Sequence, residues 1–247
     1  MQKKIMLASK ILKYFQLKKI TSYAKNNSIL FRSAPYKVEL YKKILNQINN
    51  EESFTIQNFD RSCSPRKANF IFRHDLDTQL CLENFHILAD IHVQLNVPLS
   101  VFVRTDNLDY PFKNSFPFLK PYLNKFQIGL HSSCYIYENP LRRLEEEASI
   151  FNEIYGFYPK FLTLHGLGQY KYAERLNLIK GLSSTYKDFG FVFTDCVPDL
   201  RTYNYVIQDC HLDNNGNRYI KKDFINLPPY IKGNCYLVLA HPCYWEK

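Results

Sequence analysis

The sequence lacks any apolar run of the roughly 20 residues that a transmembrane helix needs. Its N-terminal apolar stretch is interrupted by Lys10 and Lys13 and is followed by no small-residue cleavage site, so we expect no signal peptide. The seven cysteines are odd in number and show no Cys-x-x-Cys spacing, a pattern that fits reduced thiols better than a disulfide framework. These absences predict a cytoplasmic protein.

An excess of positive over negative side chains is also lacking in most of the chain, although the net charge of the whole chain is +9. Residues 1–67 hold 14 lysines and arginines against 4 acidic residues, so the remaining 180 residues carry a net charge of −1. A nucleic-acid groove needs a basic face, and we therefore expect no nucleic-acid partner. Residues 2–16 have apolar side chains on one helical face and lysines on the other. This pattern predicts either peripheral contact with the inner face of a membrane or an ordinary helix packed on the domain.

Internal repeats and low-complexity tracts are absent as well. From residue 68 onward, predicted strands alternate with predicted helices, which indicates βαβ units and a mostly parallel sheet. The predicted strands are 69–74, 98–104, 126–130, 160–164, 190–194 and 235–240. The predicted helices are 79–94, 116–124, 140–155 and 171–180. A further helix at 36–48 leads us to divide the chain into a basic helical N-terminal extension, 1–67, and an α/β domain, 68–247. The turn signal at 214–217 predicts a hairpin between 205–210 and 218–220.

Polar side chains follow four of the predicted strands at the point where each strand ends. The first strand ends in Arg-His-Asp-Leu-Asp at residues 73–77, and three later strands end in His131, His165 and His241. The ends of parallel strands lie on one side of a sheet, so these residues could converge. Carboxylates and imidazoles are ligands that zinc and similar ions prefer. The two aspartates could instead cap the helix that follows them.

These motifs resemble those of the polysaccharide deacetylase superfamily (NodB homology, carbohydrate esterase family four), in the branch that reads His-Asp-x-Asp. His74–Asp77 matches that motif, His131-Ser132 resembles the family's metal-binding His-Ser segment, and Leu239–His241 resembles its late Leu-x-His motif. The branch's His-Pro-x-x-Trp ending matches His241–Trp245. The resemblance covers about residues 68–247 and implies an α/β fold, a distorted (β/α) barrel of the deacetylase type.

The resemblance also implies an activity, namely metal-dependent removal of an acetyl group from an N-acetylated sugar. It implies Asp75 as the base and Asp77 as a metal ligand, although these two roles could be exchanged. His131 and His165 would complete the metal site, and His241 would be the acid. The ion would be divalent, with zinc preferred. The partner would be an acetylated sugar or glycan precursor in surface polysaccharide or lipopolysaccharide biosynthesis.

Four further residues are assigned to the site. We expect Arg73 to pair with the neighbouring Asp75 and keep it ionised. Asp195 would orient the histidine that acts as acid, and Trp245 would stack on a sugar ring. Tyr135 stands where the family often has the second histidine of His-Ser-x-x-His, so we assign it to the substrate and expect His165 to replace that ligand.

Two other hypotheses remain open. Tyr135 in place of a histidine favours a catalytically inactive carbohydrate-binding protein on the same fold. A different metal hydrolase, such as an amidohydrolase, would also use histidines at strand ends. That class usually carries a His-x-His motif, which the chain lacks.

Overall fold

The structure is a computed structural model of the protein. The described residues are 36–59, 63–107, 109–166, 192–193, 205–209, 211–212, 218–219 and 230–247. They belong to one compact unit. The predicted helices at 2–16 and 171–180 lie outside the described residues, as does much of the predicted N-terminal extension. Its boundary at residue 67 stays a prediction.

Short strands and helices alternate along the described chain. The strands are β1 Tyr36–Lys37, β2 Phe54–Ile56, β3 Ala68–Leu76, β4 Ser100–Val103, β5 Gln127–Ser132, β6 Phe161–Leu164, β7 Val192–Phe193, β8 Tyr205–Gln208, β9 His211–Leu212, β10 Arg218–Tyr219, β11 Cys235–Ala240 and β12 Trp245–Glu246. The α-helices are α1 Val38–Asn49, α2 Gln79–Gln94, α3 Ser115–Leu119 and α4 Pro140–Tyr155. Short 3₁₀ turns are Phe112–Asn114, Lys120–Tyr122, Cys134–Ile136 and Pro242–Tyr244.

A curled parallel sheet organises these elements as a half-barrel. Its strand order is β7-β6-β5-β4-β3-β11-β8, and β2 pairs with the first residues of β3. Every pairing described within this sheet is parallel, which confirms the α/β class and the mostly parallel sheet. Because β1 pairs with β12 and β2 with β3, residues 36–56 are part of the same unit as the sheet.

Strand β3 is buried on both faces along its whole length, as expected for a central parallel strand. On one face, Phe72 and His74 pack against Tyr41 of α1, with ring centroids 6.3 and 5.7 Å apart. Since side chains alternate along a strand, Ile71 faces the other way, where it packs with Phe102 in a hydrophobic cluster. The odd-numbered residues of β3 thus share the face that leads to Arg73 and Asp75.

A glycine allows the sheet to pack closely beneath the candidate site. A Cβ atom at Gly129 of β5 would lie 2.5 Å from Cε1 of Phe102 and 2.8 Å from the carbonyl oxygen of Phe161. Any larger residue would therefore displace an aromatic ring or a neighbouring strand. Glycine at this position therefore lets Phe102 and Phe161 pack closely in the hydrophobic cluster that includes Ile71.

Local signals determine where the two long helices begin and end. The hydroxyl of Thr78 accepts a hydrogen bond from the Cys81 backbone N–H and caps α2, so Thr78, one residue after Asp77, takes the N-cap position. Asn139 caps α4, whose first residue is a proline, and Gly156 ends it in the left-handed conformation at φ 80°. The capping role that the sequence left open for the two aspartates is therefore filled by Thr78.

Two expectations need correction. The antiparallel pairing expected across residues 214–217 is present between β9 and β10, but β8, expected as its first strand, instead pairs in parallel with β11. Cys63 and Cys235 form a disulfide, so the expectation of reduced thiols is wrong for this pair. Cys81, Cys134 and Cys243 are buried and lie outside this pair.

Among the described residues, no helix combines the length and the apolarity that crossing a bilayer requires.

Candidate active site

Five of the predicted site residues converge at the carboxyl ends of the parallel strands. Asp75 lies on β3 and Asp77 directly follows it, while His131 lies on β5. His165 follows β6 and His241 follows β11. Strand-end geometry places them together although almost 170 residues separate the first from the last.

Asp77, His131 and His165 form a compact cluster of ligand atoms. His131 Nε2 lies 3.3 Å and His165 Nδ1 lies 3.2 Å from Asp77 Oδ1, and these two nitrogens are 3.1 Å apart. All three ligand atoms fall within 4.8 Å of one another, as a shared ion requires. Two ligands bound tetrahedrally at about 2.0–2.1 Å are roughly 3.3 Å apart, so the cluster needs little movement to hold zinc.

The donor set passes a second test for a cation. Asp77 Oδ1 and His131 Nδ1 are buried, and neither atom has a hydrogen-bond partner among the described residues. Burial alone would raise the pKa of Asp77, but His165 and His131 hold it well below its ordinary value, so the carboxylate is ionised. A buried carboxylate oxygen with an unused lone pair, next to two imidazoles, is suited to a divalent ion.

Asp75 is bound by Arg73 through two parallel hydrogen bonds. Arg73 Nε donates to Oδ1 at 2.7 Å and Nη2 donates to Oδ2 at 2.6 Å, and both side chains are buried. Burial would raise the pKa of Asp75, yet the charge and the hydrogen bonds of Arg73 outweigh it and lower the pKa. Asp75 Oδ2 lies 3.6 Å from His131 Nε2. An ionised carboxylate therefore stands beside the candidate metal cluster, with the partner that the sequence predicted.

His241 is held by Asp209, a residue that the sequence analysis did not assign to the site. Asp209 Oδ1 lies 2.7 Å from His241 Nδ1, and Oδ2 accepts the His241 backbone N–H at 2.7 Å. Burial would lower the pKa of His241, but the charge and hydrogen bond of Asp209 raise it to about 10. His241 Nε2 faces the cluster, 3.7 Å from Asp77 Oδ2. Asp195, expected to orient this histidine, lies outside the described residues.

The two residues assigned to substrate are both buried. Trp245 is 0% exposed, its ring stacks on Tyr36 at 4.7 Å, and its indole N–H donates to Asp209 Oδ2 at 3.1 Å. The structure thus places Trp245 in the core, where its indole is one of three donors to Asp209, and this corrects the expected open stacking surface. The hydroxyl of Tyr135 donates to the His165 carbonyl oxygen. Contact of Tyr135 with substrate stays a prediction.

Arg104 is a second site residue that the sequence analysis missed. It directly follows β4, and its Nη1 lies 2.9 Å from Nε2 of His165. Its Nε and Nη2 donate to Asp106 Oδ1 at 3.3 Å. Burial and the Arg104 charge lower the pKa of His165 to about 4, against a smaller opposing effect of Asp77. The signal was present in the sequence, because Arg104 ends its strand as the site histidines end theirs.

Comparison with known proteins finds a similar solved structure but no matching sequence family. No protein-family model matches the sequence, and no curated protein matches it. A solved CE4 esterase from Streptococcus mutans is similar at 12% sequence identity and a TM-score of 0.48, covering 85% of this chain and 80% of that chain.

Proposed function

We propose that this protein is a metal-dependent hydrolase that removes an acetyl group from an N-acetylated sugar. One observation carries the proposal: an ionised carboxylate and a charged imidazole both face a cluster of three metal-ligand atoms. Asp75 Oδ2 lies 3.6 Å from His131 Nε2 of that cluster, and His241 Nε2 lies 3.7 Å from Oδ2, the other carboxylate oxygen of Asp77. Amide hydrolysis needs a base for the attacking water and an acid for the leaving amine, and this pair supplies both.

The cluster of Asp77, His131 and His165 would hold the divalent ion. When bound, such an ion would polarise the acetyl carbonyl and lower the pKa of its water. Tetrahedral histidine and carboxylate ligands are typical of zinc, which we propose as the metal.

Asp75 acts as the base in this proposal. Its carboxylate takes the proton of the attacking water while Arg73 keeps it ionised. Because both carboxylate oxygens accept from Arg73, the side chain is held in one orientation. Exchange of roles with Asp77 is disfavoured, since Asp77 carries the unpartnered oxygen next to the two histidines.

His241 acts as the acid. Asp209 engages Nδ1, which leaves Nε2–H directed at the cluster. The charged imidazole donates this proton to the sugar nitrogen as the C–N bond breaks. Water is thereby added across the amide, giving acetate and a free amine.

The substrate class rests on the motifs and not on a contact in the structure. We propose an acetylated sugar or glycan precursor from surface polysaccharide or lipopolysaccharide assembly. The inactive carbohydrate-binding alternative was favoured by Tyr135 in place of a histidine. His165 supplies a third ligand atom beside Asp77 and His131, so the missing histidine at position 135 no longer favours this alternative.

The test is metal content by elemental analysis of the wild-type protein and four variants. We expect about one divalent ion per chain in the wild type and in Asp75→Asn, and loss of the ion in Asp77→Ala and His131→Ala. His86→Ala, on the exposed side of α2, is the matched control and should keep it. Acetate release from N-acetylated sugars should then fail in Asp75→Asn. Absence of metal in all five proteins would favour the inactive sugar-binding alternative.

A further inference from the structure

Arg104 contacts one of the three candidate ligands directly. Its Nη1 lies 2.9 Å from His165 Nε2, and Nη2 donates to Ser133 Oγ at 3.4 Å. The same guanidinium pairs with Asp106 at 3.3 Å, and both side chains are largely buried, at 15% and 8% exposure. The arginine therefore has two sets of acceptors within reach, the histidine on one side and Asp106 with Ser133 on the other.

The direction of the Arg104 hydrogen bond determines which ring nitrogen of His165 carries the proton. A guanidinium has donors and no acceptor, so His165 Nε2 must be the acceptor. A neutral imidazole that accepts at Nε2 carries its proton on Nδ1. That Nδ1–H is 3.1 Å from His131 Nε2, which accepts it. Arg104, His165 and His131 thus form a chain of hydrogen bonds that runs into the candidate metal site.

This chain occupies the two nitrogens that an ion would use. A metal ion binds the lone pair of a deprotonated nitrogen, and His165 Nδ1 carries a proton here. To bind the ion as a neutral imidazole, His165 must carry its proton on Nε2 instead. An Nε2–H and an Arg104 N–H would then be two donors facing each other at 2.9 Å. Arg104 must leave His165 before the three-ligand site can form.

We propose that Arg104 is a gate on the metal site: it opposes the ion while its Nη1 contacts His165, and it opens when that contact breaks while Nε and Nη2 stay on Asp106 and Ser133. The proposal rests on the metal site of the proposed function. A fixed positive charge next to the ligands adds to the effect, because it repels a divalent cation. In this role Arg104 is a positioning residue that acts through His165.

Calorimetric titration with Zn²⁺ tests the gate without any measurement of activity. Arg104→Met removes the charge and the donors while keeping much of the side chain, and because a repelling charge is lost it should bind Zn²⁺ at least about ten-fold more tightly than the wild type. Asp106→Asn weakens the acceptor that holds the Arg104 guanidinium when its contact with His165 is broken. This variant should therefore bind Zn²⁺ more weakly than the wild type. Arg142→Met, an exposed arginine of α4 with 76% side-chain exposure, is the matched control and should be unchanged. Equal or weaker binding by Arg104→Met would overturn the gate.

A second measurement uses the wild-type protein and is independent of the folding of any variant. Ring ¹⁵N shifts of His165 should show Nδ1 protonated and Nε2 unprotonated without metal. Addition of Zn²⁺ should reverse the two. A proton on Nε2 in the metal-free protein would contradict the proposal. Zinc binding that yields no deacetylase activity would count against the proposed substrate and leave the gate standing, so the two failures can be told apart.

Discussion

Replacement of Asp209 by asparagine should separate the charge of this residue from its shape. The carboxylate accepts three hydrogen bonds, from the backbone N–H of His241, from His241 Nδ1 and from the indole of Trp245. An asparagine has one oxygen and one NH₂ group, so at most two of these donors can keep an acceptor. The NH₂ group that then faces His241 Nδ1 favours the neutral imidazole over the charged one.

The expected magnitude follows from the pKa of His241. Against the lowering effect of burial, Asp209 chiefly, with smaller contributions from Asp77 and Asp75, raises this pKa from the ordinary 6.5 to about 10. At about 1.4 kcal/mol per pKa unit the interaction is worth a few kcal/mol, and loss of a charged hydrogen bond costs about 1.5–3 kcal/mol. We expect Asp209→Asn to be about 2–4 kcal/mol less stable than the wild type at pH 6. The deacetylation rate should fall by about 10²–10⁴, the usual contribution of a general acid.

The sign of the pH dependence gives a second readout. Because the folded-state pKa of His241 lies above its unfolded value, the stabilisation is complete below pH 6.5 and is lost as the pH rises towards 10. The stability difference between Asp209→Asn and the wild type should therefore narrow over that range. Urea denaturation at pH 6, 8 and 9.5 measures it, and NMR titration of the His241 ring without added metal measures the pKa itself.

The control is Trp245→Phe, which removes one donor to Asp209 and leaves both contacts with His241 in place. It should lose about 1–3 kcal/mol of stability, since a hydrogen bond and part of a buried ring are lost, with little change in rate. The reasoning is refuted if the His241 pKa stays near 10 in Asp209→Asn, or if both variants lose activity to the same extent.

Three further outcomes are expected from single substitutions. Arg73→Gln removes the cation that lowers the pKa of Asp75 while burial remains, so the acidic limb of the pH–rate profile should move to higher pH. Burial raises the pKa of Glu147 from 4.5 to about 7, so wild-type stability should fall as the pH rises through this range. Glu147→Gln should abolish that fall, roughly 2–3 kcal/mol in urea denaturation at pH 5 and 8. Gly129→Ala would force a methyl group against Phe102, and its Tm should drop with a loss of about 1–3 kcal/mol.

The sequence was sufficient wherever a local pattern decides the structure. The helix predicted at 79–94 is Gln79–Gln94, and the strand predicted at 235–240 is Cys235–Ala240. Strand β3 was predictable because a continuous apolar run ends abruptly in charged residues. The convergence of the histidines followed from one general rule, that the carboxyl ends of parallel strands lie on one side.

Asp209 was missed because its place depends on a pairing that sequence patterns do not encode. The turn signal after it suggested a hairpin, which would have taken its strand away from the site. In the structure β8 lies in parallel beside β11, and this brings Asp209 next to His241, 32 residues later. The partner choice of a short strand is decided by the tertiary fold.

Trp245 shows the same limit for a side chain. A tryptophan four residues after the candidate acid could stack on a sugar or pack inside. The choice depends on Tyr36 and Tyr41, which lie some 200 residues earlier and cover the ring. Long-range packing of this kind cannot be read from spacing.

The two-sided burial of β3 makes the length of the chain before it as constrained as its composition. Deletion of a single codon between Ser64 and Lys67, if the strand were drawn back by one place, would exchange the faces of His74 and Asp75. The carboxylate would then be turned into the aromatic layer beneath α1, and an imidazole would face Arg73's former partners. A deletion in this loop should therefore be tolerated only where the remaining loop residues absorb it and the register of β3 is unchanged.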